Sequence, residues 1–374
     1  MPGAKSGASH KSPAQLSASA ADNCALRFRP FIETDRDQLF RLWKTCFSDD
    51  DDYISCFFDH FFKAGSGAAA EIGGRVVSAV HLIRGVTMQL TGTQICTYPA
   101  EHPAPLHAAY PATYGYALAT DPEFRGKGIA TELVKYAIDY ERNILGRPVF
   151  YFLPAEAELY SWYKKVMDTD VVSKITSERF SLRELSQSSI SFFSSQQPLR
   201  SLVLLAVPPE EYNIIRESLL SKIDHIVFSD SLIAYEYEIC LKSGGGLYKI
   251  CDALSGALLG CAAVETEAEG DTQAVIIREF VSPDVSAREA AKLISEKIPC
   301  KITCNEYIVR SPWHIPSNTS NTSDFAVISC AACPTGTNGI ISADSIASSG
   351  SSHGTSTLNS SPGLSGSYIG FCFD

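Results

Sequence analysis

The chain has 374 residues, 45% of them hydrophobic and 20% charged, a composition typical of a soluble globular protein with two domains. Its 31 Lys and Arg residues against 42 Asp and Glu residues give a net charge of -11, which argues against a general nucleic-acid binder because a polyanion would be repelled. The Ser-, Ala- and Gly-rich start lacks the apolar core of a secretory signal, and no later run is long enough for a membrane span. We therefore expect a cytoplasmic protein, and its twelve scattered cysteines favour buried thiols over disulfides.

The first part of the chain alternates predicted strands and helices after a tail, residues 1–24, that we expect to be disordered. The strand "LRFRPF" precedes an amphipathic helix, for which Thr34 is the expected cap, and an aromatic-rich helix follows the acidic run 49–52. That run suits solvated helix capping better than a metal site. Gly73 and Gly74 separate two strands and predict a hairpin.

A second series of elements completes this domain. The strand "YGYALAT" runs into a glycine-rich turn and a helix, and "PVFYFLP", "AEAELYSWYKKVM" and "VVSKITSERFSL" predict a strand, a helix and a closing strand. The alternation predicts an α+β or α/β domain with a mixed sheet flanked by helices.

The turn between that strand and the next helix has the features of an anion site. Gly126 and Gly128 let the backbone approach a bulky group, and a helix that begins there contributes about half a positive charge at its N-terminus. Arg125 and Lys127 add two cations. We predict a site for a pyrophosphate, with a simple solvated turn as the alternative.

The stretch Arg125-Gly126-Lys127-Gly128-Ile129-Ala130 resembles the Arg/Gln-x-x-Gly-x-Gly/Ala signature of the GNAT N-acetyltransferases. The preceding strand and "FYFLPAEAELYSWYKK" are also similar to elements of that family, so the resemblance covers residues 25–184. It implies a GNAT-like, mostly antiparallel twisted sheet and acetyl-CoA as cosubstrate. The residues expected to hold the coenzyme are Leu118, Ala119 and Thr120 along the pantetheine arm, and Arg125, Gly126, Lys127, Gly128, Ile129 and Ala130 at the pyrophosphate.

The resemblance also implies a catalytic tyrosine and an oxyanion site. Tyr163 corresponds to the family's proton donor to the departing thiolate, and the N–H group of Ala119 or Thr120 would stabilise the oxyanion. The sequence departs from the family's Tyr-x-Lys-x-Gly-Phe pattern, with Met167 and Asp168 in place of Gly-Phe. A core aromatic is the alternative for Tyr163, and the general base is undefined; the loop residues Glu101, His102 and His107 are weak candidates for that base.

The second half of the chain reads as a degenerate copy of the same domain, over residues 200–374 after a linker at 185–199. "FVSPDVSAREAAKLI" parallels "LATDPEFRGKGIATEL", but Ser286 stands at the position of Arg125 and Glu289 at that of Gly128. We expect this copy to bind no coenzyme, because a carboxylate opposes a phosphate. A coincidental strand–helix similarity is the alternative.

Two further features lie near the end of the chain. The pairs Cys300/Cys304 and Cys330/Cys333 have spacing near that of zinc ligands, yet buried thiols fit their apolar surroundings better, so we expect no metal. A Ser- and Gly-rich insertion at 335–367 reads as a flexible loop before the apolar end "SYIGFCFD". By resemblance to two-lobed acetyltransferases, the carboxylate of Asp374 would take the amine proton or hold a cationic substrate.

These features predict an N-acetyltransferase that moves an acetyl group from acetyl-CoA to a primary amine of a small molecule or peptide by direct attack. No Cys, Ser or His constellation indicates a covalent intermediate. The alternatives are a non-catalytic acyl-CoA-binding or regulatory module and an aminoacyl transferase, the latter disfavoured by the negative charge. The sequence predicts no nucleic-acid or membrane partner, and it specifies neither the amine nor the oligomeric state.

Overall fold

The computed structural model describes residues 25–91, 108–156, 158–169, 172–186, 201–269, 272–298, 303–311 and 320–330. Several predictions concern residues outside these ranges: the tail 1–24, Glu101, His102, His107, most of the linker, Cys300, Cys333, the insertion 335–367 and Asp374. The chain divides into two compact units, one of Met1–Arg84 with Thr113–Asp168 and one of Gly85–Ala112 with Thr169–Asp374. None of the helices in the described ranges combines the length and apolar content that a membrane crossing needs.

The first unit contains strands in the order β1-β2-β3-β4-β5, with β1–β2 and β2–β3 antiparallel. The last residues of β3 and the first of β4 belong to the second unit. Short 3-10 turns precede α1 and follow β4, and a π-helical turn, Tyr140–Ile144, extends α3. The elements are β1 (Arg27–Pro30), α1 (Arg36–Cys46), α2 (Asp51–Phe61), β2 (Gly67–Ile72), β3 (Arg75–Leu90), β4 (Ala108–Thr120), α3 (Ile129–Asp139), β5 (Val149–Phe152) and α4 (Leu159–Val166).

The predicted start of the first helix is wrong. The chain makes a 3-10 turn over Glu33–Asp35, and α1 begins at Arg36 with Asp35, not Thr34, at the N-cap. The reason is electrostatic: both carboxylate oxygens of Asp35 accept hydrogen bonds from Arg29, at 2.7 and 2.9 Å, and this buried carboxylate also accepts from the backbone N–H of Ile32. The capping role predicted for the acidic run is confirmed, because Asp50 accepts from the N–H of Tyr53 at 2.7 Å.

The far end of α3 is fixed by a buried ionic network. Glu141, fully buried in the π-helical turn, accepts from Arg84 of β3 at 2.7 Å and from the hydroxyl of Thr113 in β4 at 2.7 Å. Arg147 donates to Thr113 at 3.0 Å and to the carbonyl of Arg84 at 2.6 Å. A side chain that joins two strands to one helix fixes the direction of α3, whose other end carries the glycine turn.

The second unit has its own strands in the order β13-β6-β12-β11-β10-β9-β7, and β8 pairs with residues 86–89 of β3. Only β11 and β12 are parallel among the pairs with a described register, and α8 connects them. The predicted mixed, mostly antiparallel sheets flanked by helices are confirmed. The elements are β6 (Val172–Phe180), α5 (Leu182–Ser186), β7 (Leu202–Ala206), α6 (Pro209–Leu220), β8 (His225–Phe228), α7 (Asp230–Ser243), β9 (Gly246–Asp252), β10 (Leu258–Glu269), β11 (Thr272–Val281), α8 (Ala287–Lys297), β12 (Thr303–Ser311) and β13 (Ser320–Cys330).

The core of the second unit lies where α8 packs on this sheet. Ala290, Ala291 and Ile294 of the helix are buried in one cluster with Val275 and Ile277 of β11. Five cysteines of the described ranges carry free thiols, and Cys56, Cys240, Cys251 and Cys261 are buried while Cys46 is half-buried. Burial of small thiols in helices and strands agrees with the expectation from their scattered spacing.

Candidate active site

The glycine-rich turn between β4 and α3 needs glycine for its backbone conformation. Gly126 and Gly128 have φ angles of +74° and +75°, a left-handed region that residues with a Cβ rarely adopt. A Cβ built at either position would meet no atom within 4 Å. Both positions therefore face open space, and without side chains they let a ligand approach the backbone closely.

The N–H groups of this turn are available to a ligand. Gly128 is the N-cap of α3 and makes no side-chain cap hydrogen bond. Among the described residues, no side chain or loop carbonyl accepts from the N–H groups of Gly126, Lys127 or Gly128. A helix N-terminus with unpaired N–H groups and the positive end of the helix dipole attracts an anion.

The cations predicted for the turn are present and exposed. Arg125 donates from Nε to the carbonyl of Thr120 at 3.0 Å. Lys127 donates to the carbonyl of Glu123 at 3.0 Å, and its ammonium lies 4.7 Å from the ring centre of Phe124. Neither side chain is held by a carboxylate among the described residues. Their positive charges therefore remain available to an anion at the turn.

A surface cavity of about 300 Å³ opens beside the turn, on the side of α1. Arg75 lies in its wall and pairs with Asp121 and Glu123. The other lining residues are Gln38, Arg41, Leu42, Thr45 and Val76. The cavity is a polar recess with two guanidinium groups, adjacent to the end of β4.

The strand edge expected to meet the pantetheine arm follows a strained residue. Ala117 has a φ of +47°, which costs an L-residue about 1–2 kcal/mol. After it, Leu118 and Thr120 are half-buried and Ala119 is buried. The carbonyl of Ala119 accepts from the hydroxyl of Ser78 at 2.7 Å, and that of Thr120 accepts from the thiol of Cys46 at 3.4 Å. The irregularity at Ala117 was not predictable from the sequence, because alanine has no preference for a positive φ.

Tyr163 lies on α4 with 7% of its surface exposed. Its ring packs against Phe152 with centroids 4.5 Å apart and against Trp162 at 4.8 Å. Burial raises the pKa of this phenol well above its ordinary value of 10.0, so Tyr163 is neutral at physiological pH. A neutral phenol carries the proton that a departing thiolate needs.

The departure from the family pattern after Tyr163 has a structural solution. Met167 is buried and ends the helix in a right-handed conformation, and Asp168 takes a φ of +49°. Aspartate tolerates this left-handed region better than most residues. Helix α4 therefore ends sharply without the glycine.

The corresponding helix of the second unit has a different N-terminus. Ser286 is the N-cap of α8 and accepts from the N–H of Glu289 at 3.3 Å, while the carboxylate of Glu289 accepts from the N–H of Ser286 at 2.9 Å and its hydroxyl at 2.7 Å. When the two similar stretches are matched, Ile129, the first residue of α3, corresponds to Ala290. Helix α8, however, already begins at Ala287. The first helical turn therefore replaces the glycine turn, and side chains satisfy the N–H groups that α3 leaves open.

Sequence reasoning missed an aromatic cluster between β3, β4 and helices α1 and α2. His81 is buried, with ring centroids 5.1 to 5.3 Å from those of Phe31, Trp43, Phe57 and Phe58. Burial lowers the pKa of His81 to about 3, so the imidazole is neutral. Next to it, the hydroxyls of Tyr53 and Tyr116 form a 2.7 Å hydrogen bond. The period-2 spacing of Tyr114 and Tyr116 in "YGY" was the available signal that both face one side of the strand.

Among the residues of the second unit that the structure describes, one group of potential metal ligands occurs. The ligand atoms of Glu236, Cys240 and Glu265 lie within 4.8 Å of one another and are buried. Arg278 forms an ion pair with Glu265 at 2.9 Å, and burial raises the pKa of the Cys240 thiol. The guanidinium of Arg278 already supplies positive charge to this cluster, so we assign no metal to it.

Comparison with known proteins agrees with this architecture. Residues 29–163 match the model of the acetyltransferase (GNAT) family. A GCN5-related N-acetyltransferase from Kribbella flavida shares 15% identity and a TM-score of 0.54 over 82% of this chain and 71% of its own. One from Anabaena variabilis shares 13% identity and a TM-score of 0.57 over 81% and 72%. A search of curated protein sequences gives no match.

The family match covers β1 to α4, the elements that build the glycine turn and carry Tyr163. The structural matches extend over both units and show a shared fold at low sequence identity. Residues 29–163 therefore match the acetyltransferase (GNAT) family model, and the chain as a whole shares the fold of these GCN5-related N-acetyltransferases.

Proposed function

We propose that this chain transfers the acetyl group of acetyl-CoA to a primary amine of a small molecule or peptide by direct attack. The observation that carries the proposal is the turn at residues 125–128, where two left-handed glycines precede a helix whose first N–H groups have no cap. The second unit has closed the equivalent helix end with Ser286 and Glu289, so one coenzyme site per chain is expected.

The proposed reaction uses the turn, the end of β4 and Tyr163. The diphosphate accepts hydrogen bonds from the N–H groups at residues 126–130, with Arg125 and Lys127 beside it, and the pantetheine arm pairs with Leu118–Thr120. The amine nitrogen attacks the thioester carbonyl, whose developing negative charge the N–H group of Ala119 or Thr120 stabilises. The new C–N bond replaces the C–S bond, and Tyr163 protonates the departing thiolate.

Release of coenzyme A from acetyl-CoA tests the proposal directly. Amino acids, diamines, polyamines, aminoglycosides and peptides with free amines form the acceptor panel, and Tyr163→Phe is measured beside the wild-type chain. We expect wild-type turnover with at least one class, and a fall in kcat of about 10²-fold in the variant, within the range of acid catalysis. Unchanged turnover of Tyr163→Phe with every acceptor would remove the proton-donor role.

The coenzyme site has a matched control within the same unit. Gly128→Glu places a carboxylate at the turn, whereas Gly146→Glu makes the same change at a glycine with a φ of +66° and equally open surroundings, beyond the far end of α3. Both variants carry similar backbone strain. We expect calorimetry to show loss of coenzyme A binding in Gly128→Glu alone, and equal losses in both variants would refute the assigned location.

A non-catalytic acyl-CoA-binding module is the second candidate, because Tyr163 is packed like an ordinary core aromatic. Tight coenzyme binding without thiol release across the whole panel would favour it. The proposed contribution of Asp374 has its own test, since removal of the last three residues should lower turnover with a cationic amine. Unchanged turnover in that truncation would exclude the role.

A further inference from the structure

Acetyl transfer needs a group that takes the proton of the attacking amine. The hydroxyl pair of Tyr53 and Tyr116 lies near the point where the proposed reaction takes place. Tyr116 is the residue directly before the strained Ala117, and the strand edge proposed for the pantetheine arm begins directly after it. An arm that starts at the turn and covers three residues of strand extends about 10 Å along β4. Its thioester end then lies towards Ala117 and Tyr116, and of the two proposed oxyanion donors the N–H group of Ala119 is the nearer to it.

The two tyrosines near this point lie on opposite faces of β4. The ring of Tyr116 packs against Trp43 and Phe57, with centroids 5.7 and 5.1 Å away, and so faces α1 and α2. A Cβ on the preceding Gly115 would fall 2.4 Å from the ring of Phe152, against which Tyr163 packs. Neighbouring residues of a strand point to opposite faces, so Tyr163 approaches from the side away from Tyr116.

The pair also leads from the interior towards solvent. Tyr116 is 9% exposed, Tyr53 on α2 is half-buried, and their oxygens are 2.7 Å apart. A hydroxyl donates one hydrogen bond and accepts others, so a hydrogen-bonded pair can take a proton at one end and release one at the other. Local strain of the kind at Ala117 is common where a fold positions reacting groups.

We propose that Tyr116 accepts a hydrogen bond from the acceptor amine and takes its proton during attack, and that Tyr53 is the positioning residue that passes a proton on to water. This inference rests on the proposed acetyl transfer. As the C–N bond forms, the amine proton moves to the oxygen of Tyr116, the Tyr116 proton moves to Tyr53, and the Tyr53 proton moves to solvent. The C–S bond breaks on the opposite face, where Tyr163 donates to the thiolate and is reprotonated from water.

The test compares Tyr53→Phe, Tyr116→Phe and the double variant in steady-state kinetics with the best amine of the panel. We expect each single change to lower kcat by about 10- to 100-fold, near the lower end of acid–base contributions, with coenzyme A affinity and melting temperature retained. The double variant should lose no more than about threefold beyond either single variant, since both break one relay. The solvent isotope effect on kcat and the pH dependence of kcat should change in both.

Tyr136→Phe is the matched control, because it removes a half-buried hydroxyl from α3, where the ring stacks on Phe28. An active wild type with unchanged kcat in Tyr53→Phe and Tyr116→Phe, or with losses equal to those of Tyr136→Phe, overturns the inference and leaves acetyl transfer standing. Additive losses in the double variant, or losses explained by weaker coenzyme binding, also overturn it. A wild type without turnover on any amine refutes the proposed function and this inference together.

Discussion

His81 is a titratable residue that the fold keeps uncharged. Four aromatic rings surround it, and in the described part of the chain its Nδ1 atom has no hydrogen-bond partner. Burial is the cause of its low pKa, since no charged neighbour contributes to the shift. The unfolded chain protonates this imidazole near pH 6.5 and the folded chain only near pH 3, so the unfolded state binds the extra proton between these values.

Acid should therefore destabilise the first unit through His81. As the pH falls from 6.5 towards 3, the free energy of unfolding should drop by about 1.4 kcal/mol per pH unit from this group alone. Chemical denaturation of the wild type and of His81→Phe at several pH values measures the difference. A stability difference between the two chains that stays constant below pH 6 would contradict the account.

Asp168 is a second residue whose conformation has a measurable cost. Its φ of +49° is strained for an aspartate and relaxed for a glycine. Asp168→Gly should raise the free energy of unfolding by about 0.5 kcal/mol, because the relief of strain exceeds the entropy that glycine adds to the unfolded chain. Asp139→Gly is the control, since Asp139 is exposed and ends α3 with a φ of -63°. Thermal denaturation should show that Asp139→Gly is less stable than the wild type. A loss of stability in both variants would contradict the prediction.

At the scale of elements, the N-termini of α3 and α8 make a natural comparison. Ser286→Ala should lower the free energy of unfolding by about 1 kcal/mol, because it removes an N-cap and half of a capping box. Coenzyme A affinity should not change, since that helix end satisfies its own N–H groups. Denaturation and calorimetry on one preparation measure both quantities, and a fall in affinity would argue for a ligand at α8.

Elements defined by neighbouring residues were predictable from the sequence. Gly73 and Gly74 indicated the β2–β3 hairpin. The turn before α3 was predictable because the residues that form it are consecutive in the chain. Helices α6 and α7 escaped prediction because buried polar residues, including Arg216 and Glu236, interrupt their apolar periodicity. The buried charge of Arg216 is compensated because both carboxylate oxygens of Glu279 accept hydrogen bonds from it at 3.0 Å. A local sequence pattern cannot show this partner, because it lies 63 residues further along the chain.

The two parts of the candidate site also differ in whether their residues are neighbours in the sequence. The glycine turn proposed for the coenzyme lies in one continuous stretch, and its position before a helix was predicted, whereas the hydroxyl pair joins residues 63 positions apart. The strain at Ala117 arises from the strand's surroundings, since alanine has no preference for a positive φ. The cap at Asp35 likewise depended on an ion pair with Arg29 in another element.

For the whole molecule, the two units should bind a single coenzyme. Titration of the full chain with coenzyme A should give a stoichiometry of one, because α3 has an open N-terminus and α8 a closed one. Gly128→Glu should then show no residual binding. Two sites per chain, or heat from a remaining site in that variant, would mean that the second unit also holds the nucleotide.

The open end of α3 has a practical consequence for anyone who measures this chain. Unpaired N–H groups at a helix start donate hydrogen bonds to small oxyanions such as inorganic phosphate and sulfate as well as to a nucleotide diphosphate. Phosphate-buffered or sulfate-containing solutions should therefore compete, and the apparent Kd for coenzyme A should rise with the concentration of these salts beyond the effect of ionic strength. Zwitterionic sulfonate buffers at low salt are the appropriate medium for the first titrations.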